Sequence, residues 1–162
     1  MSAQPPQPQT PGGPHGSVFS GTADLGPRIG ARLLDILIVA IPASIVLGII
    51  GLGVFGGFGT GSWLGSAITS LLWFGYFVFF ESNRGATLGK QILNLKVISA
   101  SGAPPSTEDA AKRNVWMLFG LIPWIGGLLS LIALIVIMVT ISSDSHNRGY
   151  HDTFAGTAVM RA

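Results

Sequence analysis

No cysteine occurs anywhere in the 162 residues. That excludes disulfide staples, thiolate catalysis and Cys-based zinc sites, and it leaves the redox compartment unreadable. Charge is scarce as well: 10% of the residues are Asp, Glu, Lys or Arg, against roughly a quarter in an ordinary soluble domain. Apolar side chains make up 48% of the chain, a balance that belongs to lipid. The net charge is only +2, and the nine basic residues flank apolar runs with no basic stripe among them, which argues against nucleic acid as a partner. A signal peptide is missing too. Through Asp24 the chain holds five prolines, one acidic residue, no basic residue and no apolar h-region, so membrane insertion is expected to begin at an internal segment.

The remaining features divide the chain into a tail and a membrane domain. Residues 1–24 are rich in Pro, Gln and Gly, a composition that buries too little apolar surface to offset its ordering entropy, and they read as a disordered tail. From Leu33 to Phe55 the chain is apolar except for Asp35, long enough at ~1.5 Å per residue to cross a ~30 Å hydrocarbon core. A glycine-rich turn without charge follows, and residues 63–80 supply a second span. Gly53, Gly57, Gly61 and Gly65 fall every fourth position, a small-residue packing face if helix continues through the turn and plain loop flexibility otherwise.

Five of the nine basic residues (Arg84, Lys90, Lys96, Lys112 and Arg113) lie in the polar stretch from Glu81 to Arg113, and Arg28 and Arg32 precede the first span. The positive-inside rule then places the N-terminus and this middle loop in the cytoplasm. Within the loop, residues 92–98 read as a short strand followed by a turn at 101–104. The last apolar stretch, Val115 to Ile141, has 27 residues, too long for one untilted span and too short for two complete ones. Ser106-x-x-Asp109 resembles a capping box, and Pro123 through Gly127 is the expected break. Segments at about 107–122 and 126–141 follow, four in all, with a cytoplasmic C-terminus; the alternative is three segments, the last a single kinked span. Thr157 to Met160 form a strand-like tail suited to pair with Leu95 to Ile98.

Polar residues beside hydrophobic segments carry the functional signal, because each buried charge costs several kcal/mol unless paired or hydrated. Arg28 and Asp35 are two helical turns apart on one face, ~10 Å along the axis. Arg32, one turn before Asp35, is its expected direct partner, with Arg28 snorkelling to headgroups. The second element is Gly85-Ala86-Thr87-Leu88-Gly89-Lys90. It departs from a phosphate loop in glycine spacing, and Gln91 stands where Ser or Thr belongs. The third runs from Arg148 through His151 and Asp152 to Gly156 and Thr157. With the Arg113-Asn114 pair, these elements in this order resemble the RDD family of membrane proteins, over Leu25 to Met160.

That resemblance implies an all-α membrane bundle whose signature residues are Arg28, Asp35 and Asp152. It implies a membrane role that is largely undefined, with transport of an unknown ligand and, for some members, sodium/proton exchange as suggestions. Asp35 reads as a proton or cation site or, alternatively, as a structural ion pair. Asp152 reads as an acceptor for a loop donor or for Arg28, tying the C-terminal segment to the first helix. Asp144, His146, His151 and Asp152 match no helix-borne metal motif, and no Ser/His/Asp arrangement supports an enzyme. The expectation is therefore a plasma-membrane, multi-pass protein, with a short two-stranded cytoplasmic cap and no cofactor or metal. Its partners are the lipid bilayer and a second copy or another membrane protein. Its role is transport or ion/proton-coupled permeation, or alternatively a non-transporting interaction module.

Overall fold

The computed structural model describes residues 21–42, 45 and 63–162. Helix α1 (Leu25–Asp35) carries Pro27 in its first turn, where a missing N–H costs nothing, and widens directly after Asp35 into a π turn at Ile36–Ala40. Most of the expected first span, and the glycine series apart from Gly65, lie outside the described residues. Helix α2 (Trp63–Arg84) contains the expected second span and runs one turn beyond it. A left-handed Gly85 (φ 68°) ends it, and helix α3 (Leu88–Ile92) starts with Thr87 as its N-cap.

Strand β1 (Leu95–Ser99) pairs antiparallel with β2 (Thr157–Arg161), Val97 opposite Val159, which realises the expected pairing; the strand expected over 92–98 starts only at Leu95, because Ile92 ends helix α3 and a turn follows. Thr22 bridges Met160, and Ala23 N donates to Val159 O at 2.8 Å. Residues 21–24 therefore belong to the fold rather than to the tail, because the free edge of β2 gives their backbone a partner. The turn between β1 and the next helix forms around Gly102, whose N–H reaches Ser99 O at 3.0 Å.

Helix α4 (Thr107–Asn114) begins at Ser106, whose hydroxyl accepts from Asp109 N at 3.1 Å, the expected cap. The single helix expected over 107–122 does not form. The α-helix stops at Asn114 and a 3-10 run, Val115–Leu121, takes over. Asn114 leaves helical geometry (φ −104°, ψ 2°) while its amide binds Ala110 O and Glu81. The 3-10 run lies antiparallel to α2: Asn114 sits beside Glu81, and Leu121 O accepts from Trp63 Nε1 at 2.7 Å. A Cβ at Gly120 would stand 1.9 Å from Ser70 Oγ and 3.1 Å from Ser70 Cβ, so a larger residue there would have to turn the Ser70 hydroxyl aside. The chain breaks at Pro123 and Trp124 as expected, with Trp124 at φ 68°, and helix α5 (Gly126–Ser143) follows. Helix α6 (Tyr150–Phe154) precedes β2.

Burial is inverted relative to a water-soluble domain. Leu128, Leu131, Ile132, Ile135 and Val139 of α5 are exposed, whereas Asp35, Glu81, Asp152, Thr87 and Thr157 have no exposure at all. Among the described residues α5 alone is both long and apolar enough to cross a membrane unaided, and 11% of its apolar window is buried. An apolar helix that shows its side chains outward while carboxylates fill the interior is solvated by lipid.

Candidate functional site

Three carboxylates organise the interior. Asp152 is wholly buried and accepts from Arg28 Nη1 at 2.5 Å, from Arg113 Nη1, and from Gly149 N at 3.1 Å. It thereby ties α1, α4 and α6 together, the role the sequence pattern suggested for it. Arg28 is fixed further by Nε donating to Ala23 O at 3.0 Å. It is buried, not snorkelling: its counter-ion lies inside the protein, so burial costs it less than an unpaired cation would pay.

Arg113 also reaches Thr157 Oγ1 at 3.1 Å, and its Nε lies 3.3 Å from Glu81 Oε2. Glu81 Oε1 takes the Lys90 ammonium, and Oε2 accepts from Asn114 Nδ2 at 2.9 Å. Glu81 was not singled out from the sequence, although it is the only acid in α2 and lies three residues before that helix's one base, Arg84. Burial pushes the Lys90 ammonium down to about 8 despite the pull of Glu81.

Asp35 stands apart, with no salt bridge among the described residues. Tyr76 Oη donates to Oδ1 at 2.8 Å, Gly89 N to the same oxygen at 2.7 Å, and Thr87 Oγ1 to Oδ2 at 2.7 Å. The expected ion pair with Arg32 does not form; the loop after α2 supplies neutral donors instead. This explains the glycine-threonine element: Gly85 turns the chain, Thr87 and Gly89 grip Asp35, and Lys90 closes on Glu81. A Cβ at Gly89 would stand 2.1 Å from Ala31 O, so the backbone approach itself requires glycine.

Arg32 lies over the Phe77 ring, 3.9 Å from its centroid, and 5.5 Å from that of Trp116. Arg148 Nε donates to Thr157 O at 3.1 Å, and Gly156 (φ 64°) turns the chain into β2. Asp144 Oδ1 accepts from His146 N and Arg148 N, both at 2.9 Å, so this carboxylate caps its own loop. Burial, reinforced by Arg113, Arg32 and Arg28, holds the His151 imidazole well below its ordinary value and hence neutral.

A cavity of about 270 Å³ opens beside this network, between α1, α2, the 3-10 run and α5. Among the described residues, four buried polar atoms have no hydrogen-bond partner: Arg28 Nη2, Arg32 Nη1, Trp116 Nε1 and His151 Nδ1. All four of these residues line the cavity.

The sequence model of the RDD family matches residues 22–156, nearly the whole described chain. No curated protein and no solved structure matches.

Proposed function

We propose that this chain, which belongs to the RDD family, is a multi-pass membrane protein serving as a non-transporting binding or assembly module. The observation that carries this reading is Asp35. A proton- or cation-coupled carrier needs a carboxylate that water reaches and whose occupancy changes through the cycle. Asp35 has no exposure, and both of its oxygens are engaged by three donors from α2 and the following loop. Such a carboxylate holds structure together.

The β1–β2 pairing supports four segments, because the chain from Ser99 to Thr157 must return to the side it left. The positive-inside bias favours the cytoplasm as that side, and the plasma membrane is the membrane we propose. Lipid and a second copy or another membrane protein are the contacts. Transport of an unknown ligand is the second reading, and the cavity beside Arg28 and Arg32 is what favours it.

The test is ion flux. The full chain and Asp35→Asn are reconstituted in liposomes enclosing a pH-sensitive dye, and a sodium or potassium gradient is imposed. The expected result is proton movement no faster than in protein-free liposomes for either protein. Exchange by the wild type that Asp35→Asn abolishes would reverse the assignment.

A further inference from the structure

The cavity's donors are in surplus. Two guanidinium nitrogens, Arg28 Nη2 and Arg32 Nη1, and the indole Nε1 of Trp116 are buried without acceptors. A buried donor left unmade is costly, more so when it carries charge. A native site keeps such a cost where water, an ion or a ligand offsets it. Arg28 is itself more than nine-tenths buried, at 7% side-chain exposure, and Arg32 follows it by one turn of α1, so both are presented from one helix face.

The acceptors nearby are already committed. Glu81 and Asp35 also line the cavity. Glu81 has both oxygens on Lys90, Arg113 and Asn114, and Asp35 has both on Tyr76, Thr87 and Gly89. Each carboxylate thus already accepts three donors, and every carboxylate oxygen is engaged, which disfavours a metal or an organic cation there. Charge points the same way. Among the described residues, Arg28, Arg32, Lys90 and Arg113 cluster with three buried carboxylates, Asp35, Glu81 and Asp152, while Asp24 and Asp144, which also act on Arg28, are not buried; the buried groups alone carry one cation in excess, where an uncompensated charge is costly.

Another part of the wall is apolar, lined by Leu33 of α1, Ile36 of the π turn, and Leu134, Ile137 and Met138 of α5. The same cavity therefore offers donors at one place and hydrocarbon at another.

We infer that this cavity binds a phosphate-type oxyanion, held by Arg28, Arg32 and the Trp116 indole, with room along α1 and α5 for an attached apolar chain. Guanidinium forks match phosphate oxygens in number and direction. Two sources share this chemistry: an anionic lipid whose headgroup enters while its chains lie against α5, and a free phosphate. The inference deepens the binding-module reading by naming the ligand, and it is read by binding alone, so flux in the liposome assay leaves its outcome separate.

The experiment titrates the purified full chain, in neutral detergent, with dihexanoyl phosphatidic acid, with dihexanoylglycerol and with inorganic phosphate. Binding is followed by calorimetry and by the thermal midpoint. Saturable binding of phosphatidic acid with none of dihexanoylglycerol is expected. Phosphate alone binding as tightly as the lipid assigns the site to the free ion; phosphate binding much more weakly assigns it to the headgroup. Arg32→Gln should weaken binding about tenfold or more. Trp116→Phe, which keeps an aromatic ring and removes only the N–H, should weaken it several-fold while the unliganded midpoint is kept. Equal binding of dihexanoylglycerol, binding of no anion, or unchanged affinity in Trp116→Phe would overturn the assignment.

Discussion

Arg28 Nη1 and Asp152 Oδ2 meet at 2.5 Å across 124 residues of chain, inside the protein and out of reach of solvent. Arg113 closes on the other oxygen of the same carboxylate. One aspartate thus pairs with two guanidiniums that belong to different helices, and the contacts tie α1 and α4 to α6.

Asp152→Asn removes the ion-pair partner of Arg28 and leaves Arg113 with Glu81 alone, and removing one partner of a buried pair typically costs about 3–5 kcal/mol. The thermal midpoint in detergent should fall by many degrees, or the variant should fail to accumulate. Lys112→Gln breaks the exposed pair with Glu108 instead and should leave the midpoint where it was. Equal effects from the two substitutions would show that the buried network is not what holds the bundle.

Gly89→Ala tests the grip on Asp35. The new methyl would meet Ala31 O at 2.1 Å and Asp35 N at 2.9 Å, both of them backbone atoms that cannot swing aside. Overpacking of this kind costs about 1–3 kcal/mol or more, so a lowered midpoint is expected. Gly102→Ala is no equivalent control, since Gly102 sits at φ 80°; Gly127→Ala, with open space at its Cβ, should be silent.

His151 makes stability depend on pH. The unfolded imidazole titrates near about 6.5, and the folded one well below that because it is buried among cations. Below about 6.5 the unfolded chain takes up a proton that the folded protein refuses, so stability is full above that pH and falls as pH drops toward the folded value, by at most about 1.4 kcal/mol per pH unit. Midpoints from pH 8 to 5 should decline at the acid end, and His151→Gln should flatten the decline. Parallel curves would remove His151 as the cause.

What was legible in the sequence was local or periodic. The Ser106 cap, the break at Pro123 and the two short strands follow from turn chemistry and β-branched content, which act over a few residues. The pairing of β1 with β2 was legible because both segments are short and strand-like, with β-branched residues at Val97, Ile98, Thr157 and Val159. Partner choice among the charges was not. Helical spacing argued for Arg32 with Asp35, yet Tyr76, Thr87 and Gly89 reach Asp35 from 41, 52 and 54 residues away. Glu81 and Trp116 escaped notice for the same reason: their significance is a place in the cluster, and no window of sequence contains that place. The shortened α4 follows from the same cause, since Asn114 abandons helical geometry where it binds Glu81.

The Arg28–Asp152 contact also sets a timetable. Arg28 leaves the ribosome first, and at about 5–20 residues per second the 124 residues separating it from its aspartate take roughly 6 to 25 s to make. Throughout that interval the first helix holds a cation whose buried ion-pair partner has not yet been made, and an anionic phosphate at a bilayer surface would be the counter-charge within its reach until Asp152 arrives.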